Sequence, residues 1–170
     1  MPADREEAEM NRIRSAGTFA AKGLLLLACL CGAVRTGQAA QEQRLRAYVT
    51  NFEGGTVSVV DIRDQKEIAR LKTGDNPHGV AIAPDGSAVF VTNEGDGTLS
   101  FIDPAGNTVL ETIKVGSHPQ QLATSPDGLT LYVPLNADHA LAVVDVKTRK
   151  VSAAIPVGRN PHIIVRNPVS

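Results

Sequence analysis

Asn51–Asp61 reads NFEGGTVSVVD, and Asn93–Asp103 reads NEGDGTLSFID, the same pattern 42 residues later. A third, weaker copy follows, so the chain divides into units at 47–88, 89–130 and 131–170. Asp61, Asp103 and Asp145 recur in register, as do Gly74, Gly116 and Gly158, Pro77, Pro119 and Pro161, and Pro84, Pro126 and Pro168. A repeating unit of about 40 residues cannot bury its apolar face alone, so its copies must stack as propeller blades or as a solenoid.

Each unit parses into four short strands. In the first they are Ala47–Asn51, Val57–Ile62, Lys66–Leu71 and His78–Ala83, separated by Gly, Pro, Asn and Asp turns. No stretch carries a 3.6-residue period, and the β-branched content disfavours helix. Runs such as VSVV and LAVV are nearly continuous, where a strand with one wet face would alternate. Both faces are therefore expected to be covered, as in a blade between two others. The fold class is all-β, a propeller built from four-stranded antiparallel blades.

The motifs YVTN, TVSVVD, the VG..P turn and SPDG resemble the YVTN-repeat β-propellers of bacteria and archaea, over essentially all of Ala47–Pro168. The resemblance implies that each repeat supplies the second, third and fourth strands of one blade and the innermost strand of the next. It also implies about seven blades, within a general range of ~4–8. Three repeats fall short of that, so the chain reads as an open arc or truncated propeller. His162–Arg166 is expected to be an innermost strand. Open faces and edges recruit partners, and a homodimer of six blades is the expected repair.

The first forty residues differ from the rest. Gly23–Val34, GLLLLACLCGAV, is apolar and uncharged but shorter than the ~20 residues of a membrane span. Arg12, Arg14 and Lys22 precede it, and small residues at Gly37–Ala40 follow, which are the parts of a secretory signal. Residues 1–40 are read as that signal, cleaved between Ala39 and Gln41, with export to the periplasm or beyond. Asp4, Glu6, Glu7 and Glu9 suit export poorly, and a start at Met10 removes them. A lipid anchor at Cys29 is the weaker alternative.

Cys29 and Cys31 both lie in that apolar run, so residues 41–170 have no disulfide, thiol nucleophile or thiolate metal site. Acids slightly outnumber bases from Gln41 onward, and no basic block occurs. No G-x-S-x-G, H-E-x-x-H, phosphate-binding glycine loop or C-x-x-C-H occurs, so no catalytic residue is assigned. The three matching aspartates are read as turn residues that accept bonds from backbone N–H groups two residues on.

The polar residues of interest cluster in two kinds of loop. His78, Gln120 and His162 share one repeat position, and His118 stands where Asn76 and Asn160 stand. All enter an innermost strand, which the resemblance puts at the mouth of a central channel. Asn51, Glu53, Asn93 and Glu94 lie on turns expected at the same end. Together these eight residues form the expected ligand-binding rim. Imidazoles can ligate metal or haem iron, but His78 and His162 are expected two blades apart, beyond the reach of one ion.

The main functional expectation is thus an exported, non-catalytic scaffold that binds a protein or small ligand at its rim. The resemblance extends to haem-d1-binding domains of nitrite reductases and to propellers that accompany periplasmic quinoprotein and amine oxidation. That makes a redox accessory role, with haem as a possible cofactor, the alternative. Single-stranded DNA binding, known for some exported relatives, ranks last. It needs stacking platforms and positive charge, and Phe52 is the only aromatic on a rim turn.

Overall fold

The computed structural model describes residues 45–167. They form eleven strands, each from the β-rich runs read above. The first repeat supplies β1 (Arg46–Asn51), β2 (Thr56–Asp61), β3 (Lys66–Lys72) and β4 (Pro77–Ile82). The second supplies β5 (Val89–Asn93), β6 (Thr98–Asp103), β7 (Thr108–Lys114) and β8 (Ala123–Thr124). The third supplies β9 (Thr130–Leu135), β10 (Ala140–Asp145) and β11 (Lys150–Pro156).

Repeat and blade are offset by one strand. The sheets run β1-β2-β3, β4-β5-β6-β7 and β8-β9-β10-β11, all antiparallel. The first strand of the second and third blades therefore comes from the repeat before, as expected. The first blade has three strands among the described residues. His162–Arg166, expected as a fourth strand of the third repeat, pairs with nothing as a strand. Its Ile163 and Val165 are 72% and 87% exposed, because no strand lies beside them to take up the backbone bonds.

The central blade is covered on both sides, and alternation sorts its apolar run between two interfaces. Val89, Val91 and Ile102 pack with Val57 of the first blade. Phe90, Leu99 and Phe101 pack with Leu131, Val133, Ala142 and Val144 of the third. The expectation of two covered faces holds for β5 and β6 but not for the outer blades. Along β2 and β10 burial alternates, although VSVV and LAVV lie there. Their outward side chains are only half-buried, because no further blade of the described residues packs on that side.

Neighbouring blades are latched by a threonine in YVTN. Thr50 Oγ1 donates to the His78 carbonyl oxygen over 3.1 Å, and Thr92 Oγ1 to that of Gln120 over 2.8 Å. The Gly79 N–H donates to Thr92 Oγ1 in turn, at 2.8 Å. This close approach requires glycine, since a Cβ at Gly79 would sit 2.7 Å from the Gln120 oxygen and 2.8 Å from Gln121 Cα. Position 134 is proline in the third repeat and has no hydroxyl for such a latch.

The recurring aspartates close the β2–β3, β6–β7 and β10–β11 turns. Asp61 accepts from the N–H groups of Arg63 and Asp64, Asp103 from those of Ala105 and Gly106, and Asp145 from that of Thr148. Their role is to hold the turns in shape, as the sequence implied.

Candidate functional site

The turns β1–β2 and β5–β6 and the loops entering β4 and β8 do meet at one end of the blades. Asn76 Nδ2 donates to the Phe52 oxygen, Glu94 N–H to the Asn76 oxygen, and Asn136 N–H to the His118 oxygen. The eight expected rim residues therefore lie in neighbouring loops, but they divide into three sets with different roles.

Asn51, Asn93 and Gln120 face inward. Asn51 Nδ2 donates to Thr56 Oγ1 and Ser58 Oγ at 3.1 and 2.8 Å. Asn93 Nδ2 repeats this with Thr98 Oγ1 and Ser100 Oγ at 2.8 and 3.0 Å, and Asn93 is fully buried. In the third repeat the same positions hold Leu135, Ala140 and Ala142. Amide and hydroxyls have been replaced together by three apolar groups, so the set packs the hairpin rather than displaying a ligand contact. Gln120 is also buried, with its N–H donating to the Pro134 oxygen at 2.9 Å.

His118 and Glu94 form a pair between blades, with Nδ1 and Oε1 3.4 Å apart and the histidine exposed. Such surface contacts contribute little, about 0–1 kcal/mol. The reason for His118 is conformational. It has φ 50°, and Asn76 and Asn160 at the matching positions have φ 52°. Left-handed backbone favours Asn and His among non-glycine residues. A fourth histidine, His139, lies outside the rim set that the sequence suggests. It stands where Gly55 and Gly97 stand, again at positive φ, and that match was the available signal. Glu53 is exposed on the β1–β2 turn.

His78 and His162 form the third set, and here the expectation fails. The repeat spacing puts them two blades apart, beyond one ion's reach, yet their ring centroids are 5.3 Å apart at an interplanar angle of 71°. The third repeat leaves its blade before forming another innermost strand, and its tail turns toward β4. Val157 N–H donates to the His139 oxygen, Asn160 N–H to His139 Nδ1, and Asn136 Nδ2 to the Pro161 oxygen. Phe52 stands on the other approach to His78, with centroids 6.3 Å apart. His78 Nδ1 is shielded from solvent without a hydrogen-bond partner among the described residues.

No constellation for nucleophilic or acid–base catalysis is assembled among these residues. No group of three or more His, Cys, Asp or Glu converges as a metal cage among the described residues. No helix among them is long and apolar enough to cross a membrane.

The antiparallel blades agree with the comparison to known proteins. The family model of the YNCE-like β-propeller matches residues 11–139. The chain belongs to the YNCE-like β-propeller family. A solved structure, Kuenenia stuttgartiensis hydrazine synthase, is similar at a TM-score of 0.65 and 28% identity, over 67% of this chain and 33% of that one. Another, the dihydro-heme d1 dehydrogenase NirN in complex with DHE, is similar at a TM-score of 0.59 and 24% identity, over 67% and 24% of the two chains. The chain spans about a third and about a quarter of these two structures. The likeness to NirN concerns fold alone. No curated protein matches the sequence.

Proposed function

We propose that this YNCE-like propeller segment is an exported, non-catalytic scaffold that presents the loop end of its blades to a protein or small ligand. The observation that carries this reading is the contrast between the two ends. At the Asp61/Asp103/Asp145 end the carboxylates are taken up in closing their own turns. At the other end Phe52, His78 and His162 stand together with a shielded, unpartnered imidazole nitrogen. An exposed aromatic ring beside two imidazoles offers a ligand both an apolar face and polar groups. A photo-cross-linker at Phe52 should capture a partner that the same group at Ser87, on the β4–β5 turn, does not. Equal capture from both ends, or none from Phe52, defeats the reading.

Export accompanies the proposal. Residues 1–40 lie outside the described residues, and their composition supports a cleaved leader. Intact-mass analysis of periplasmic material should find an N-terminus at Ala40 or Gln41; a lipid on Cys29 would instead establish the anchored form.

The second reading is a redox accessory role with haem bound at the rim. Its support is the imidazole pair together with a neighbour whose name is that of a hydrazine synthase. Addition of haemin should then give a Soret shift that His78→Ala removes. An unshifted spectrum with the unaltered chain ends this reading.

A second copy of the chain is the proposed protein partner at the inner edge of β1. On β5 the corresponding edge carries β4, with Val80 opposite Val91 and Ala81 opposite Phe90. The repeat period carries that register to Ile164 opposite Val49 and Val165 opposite Tyr48. The unpaired tail has the composition of such a strand, and an open edge is a template for one.

A further inference from the structure

We propose that His78 and His162 form a two-imidazole site for a borderline divalent transition ion such as Zn(II) or Cu(II). The remaining coordination positions are left to water or an exogenous donor. This rests on the rim reading above and names a ligand class for it.

Distance allows one ion to be shared by the two rings. A zinc–imidazole bond is about 2.0–2.1 Å, so the metal stands about 3.2 Å from each ring centroid. At a tetrahedral angle the two centroids are then about 5.2 Å apart, and at a linear angle about 6.4 Å. The observed 5.3 Å, an edge-to-face contact, keeps both rings within reach of one tetrahedral ion. It is too short for the two rings to sandwich a haem iron as opposed axial ligands. The 71° between ring planes is an edge-to-face contact, so the exposed His162 ring must turn for a nitrogen of each ring to meet one ion.

Chemistry points the same way. Imidazole suits Zn, Cu and Ni, whereas Mg and Ca require oxygen donors that this pair does not supply. The shielded nitrogen of His78 lacks a partner, and a buried polar atom in that state carries a desolvation cost that a ligand removes. His162 is exposed on the tail and can turn its ring without repacking a core. Phe52 lies beside His78, with ring centroids 6.3 Å apart. With two protein ligands the site is weaker than a closed four-ligand centre.

Coordination would also fasten the tail to β4 of its own chain, in place of its pairing with a second copy. That gives a readout other than affinity, because Arg159 and Arg166 flank the tail and trypsin cuts after both. Titration of the full chain with ZnCl2, followed by calorimetry, should show one equivalent bound with a Kd on the order of micromolar. His78→Ala and His162→Ala should each weaken binding at least ~30-fold, about 2 kcal/mol. His118→Ala, a nearby histidine outside the pair, should leave it unchanged. Zinc should slow cleavage at Arg159 and Arg166 in the unaltered chain and not in His162→Ala, which lies on the exposed tail and leaves the blades intact. No saturable uptake below ~100 μM, or equal weakening by His118→Ala, overturns the proposal. If zinc fails while Phe52 still captures a partner, the rim reading stands without the metal; if both fail, both fall.

Discussion

Thr92 Oγ1 donates to the Gln120 carbonyl oxygen across 2.8 Å, and this single hydroxyl joins β4 and β5 of one blade to the loop entering β8 of the next. It receives the Gly79 N–H at the same time, at 2.8 Å. Thr92→Val keeps the shape and removes both bonds, leaving a buried donor and a buried acceptor without Thr92. The expected loss is about 2–3 kcal/mol, and a urea melt of the variant checks it. A loss below about 0.5 kcal/mol would mean that water or a backbone shift replaces the latch.

Asn93 should behave as one member of a set. Asn93→Leu alone removes the amide from Thr98 and Ser100, while those hydroxyls keep contacts with Asp96 and Thr112. A cost of about 1–3 kcal/mol is expected. Adding Thr98→Ala and Ser100→Ala reproduces the Leu135, Ala140 and Ala142 arrangement of the third repeat. The triple variant should then recover much of the loss, with a coupling on the order of 1 kcal/mol by mutant cycle. Additive losses would show that the third repeat tolerates its apolar set for another reason.

Acid should weaken the junction between the second and third blades through Asp138. The Ser117 backbone N–H, 2.7 Å from Oδ2, holds this carboxyl below its ordinary value, and His139 and His118 add to the effect. A carboxyl with a depressed folded pKa stabilises above its unfolded value of about 4 and loses that contribution as pH falls through the folded one. Asp138→Asn should lower stability at pH 7 and flatten the decline below about pH 4. An acid limb as steep as that of the unaltered protein would exclude Asp138 as a contributor.

Association should follow the register inherited from β4 and β5. With Cys29 and Cys31 changed to Ser, Val49→Cys combined with Ile164→Cys should give a disulfide-linked dimer on a non-reducing gel. Light scattering of the unaltered chain should give twice the monomer mass. A soluble monomer with a cooperative melt at micromolar concentration would show that β1 carries no strand from a second copy.

The sequence by itself determined the blade. The strand bounds of the first repeat, within a residue or two, and the Asp turns follow from rules that act over a few residues, while the offset between repeat and sheet follows from the resemblance to known propellers. Three registered copies made those rules visible three times. What it could not determine was where a side chain points once loops from different blades meet. Asn51 and Asn93 look like rim residues on their turns, but they fold back onto hydroxyls two strand positions away. His118 looks like a ligand by type, yet it serves a left-handed turn that Asn serves elsewhere. Only the tertiary structure brought His162 to His78, because that contact depends on an unpaired tail crossing between blades rather than on any local preference. The 42-residue period predicts the tail as a strand. A strand forms only where an edge is present to receive its backbone bonds, and no period within one chain carries that information.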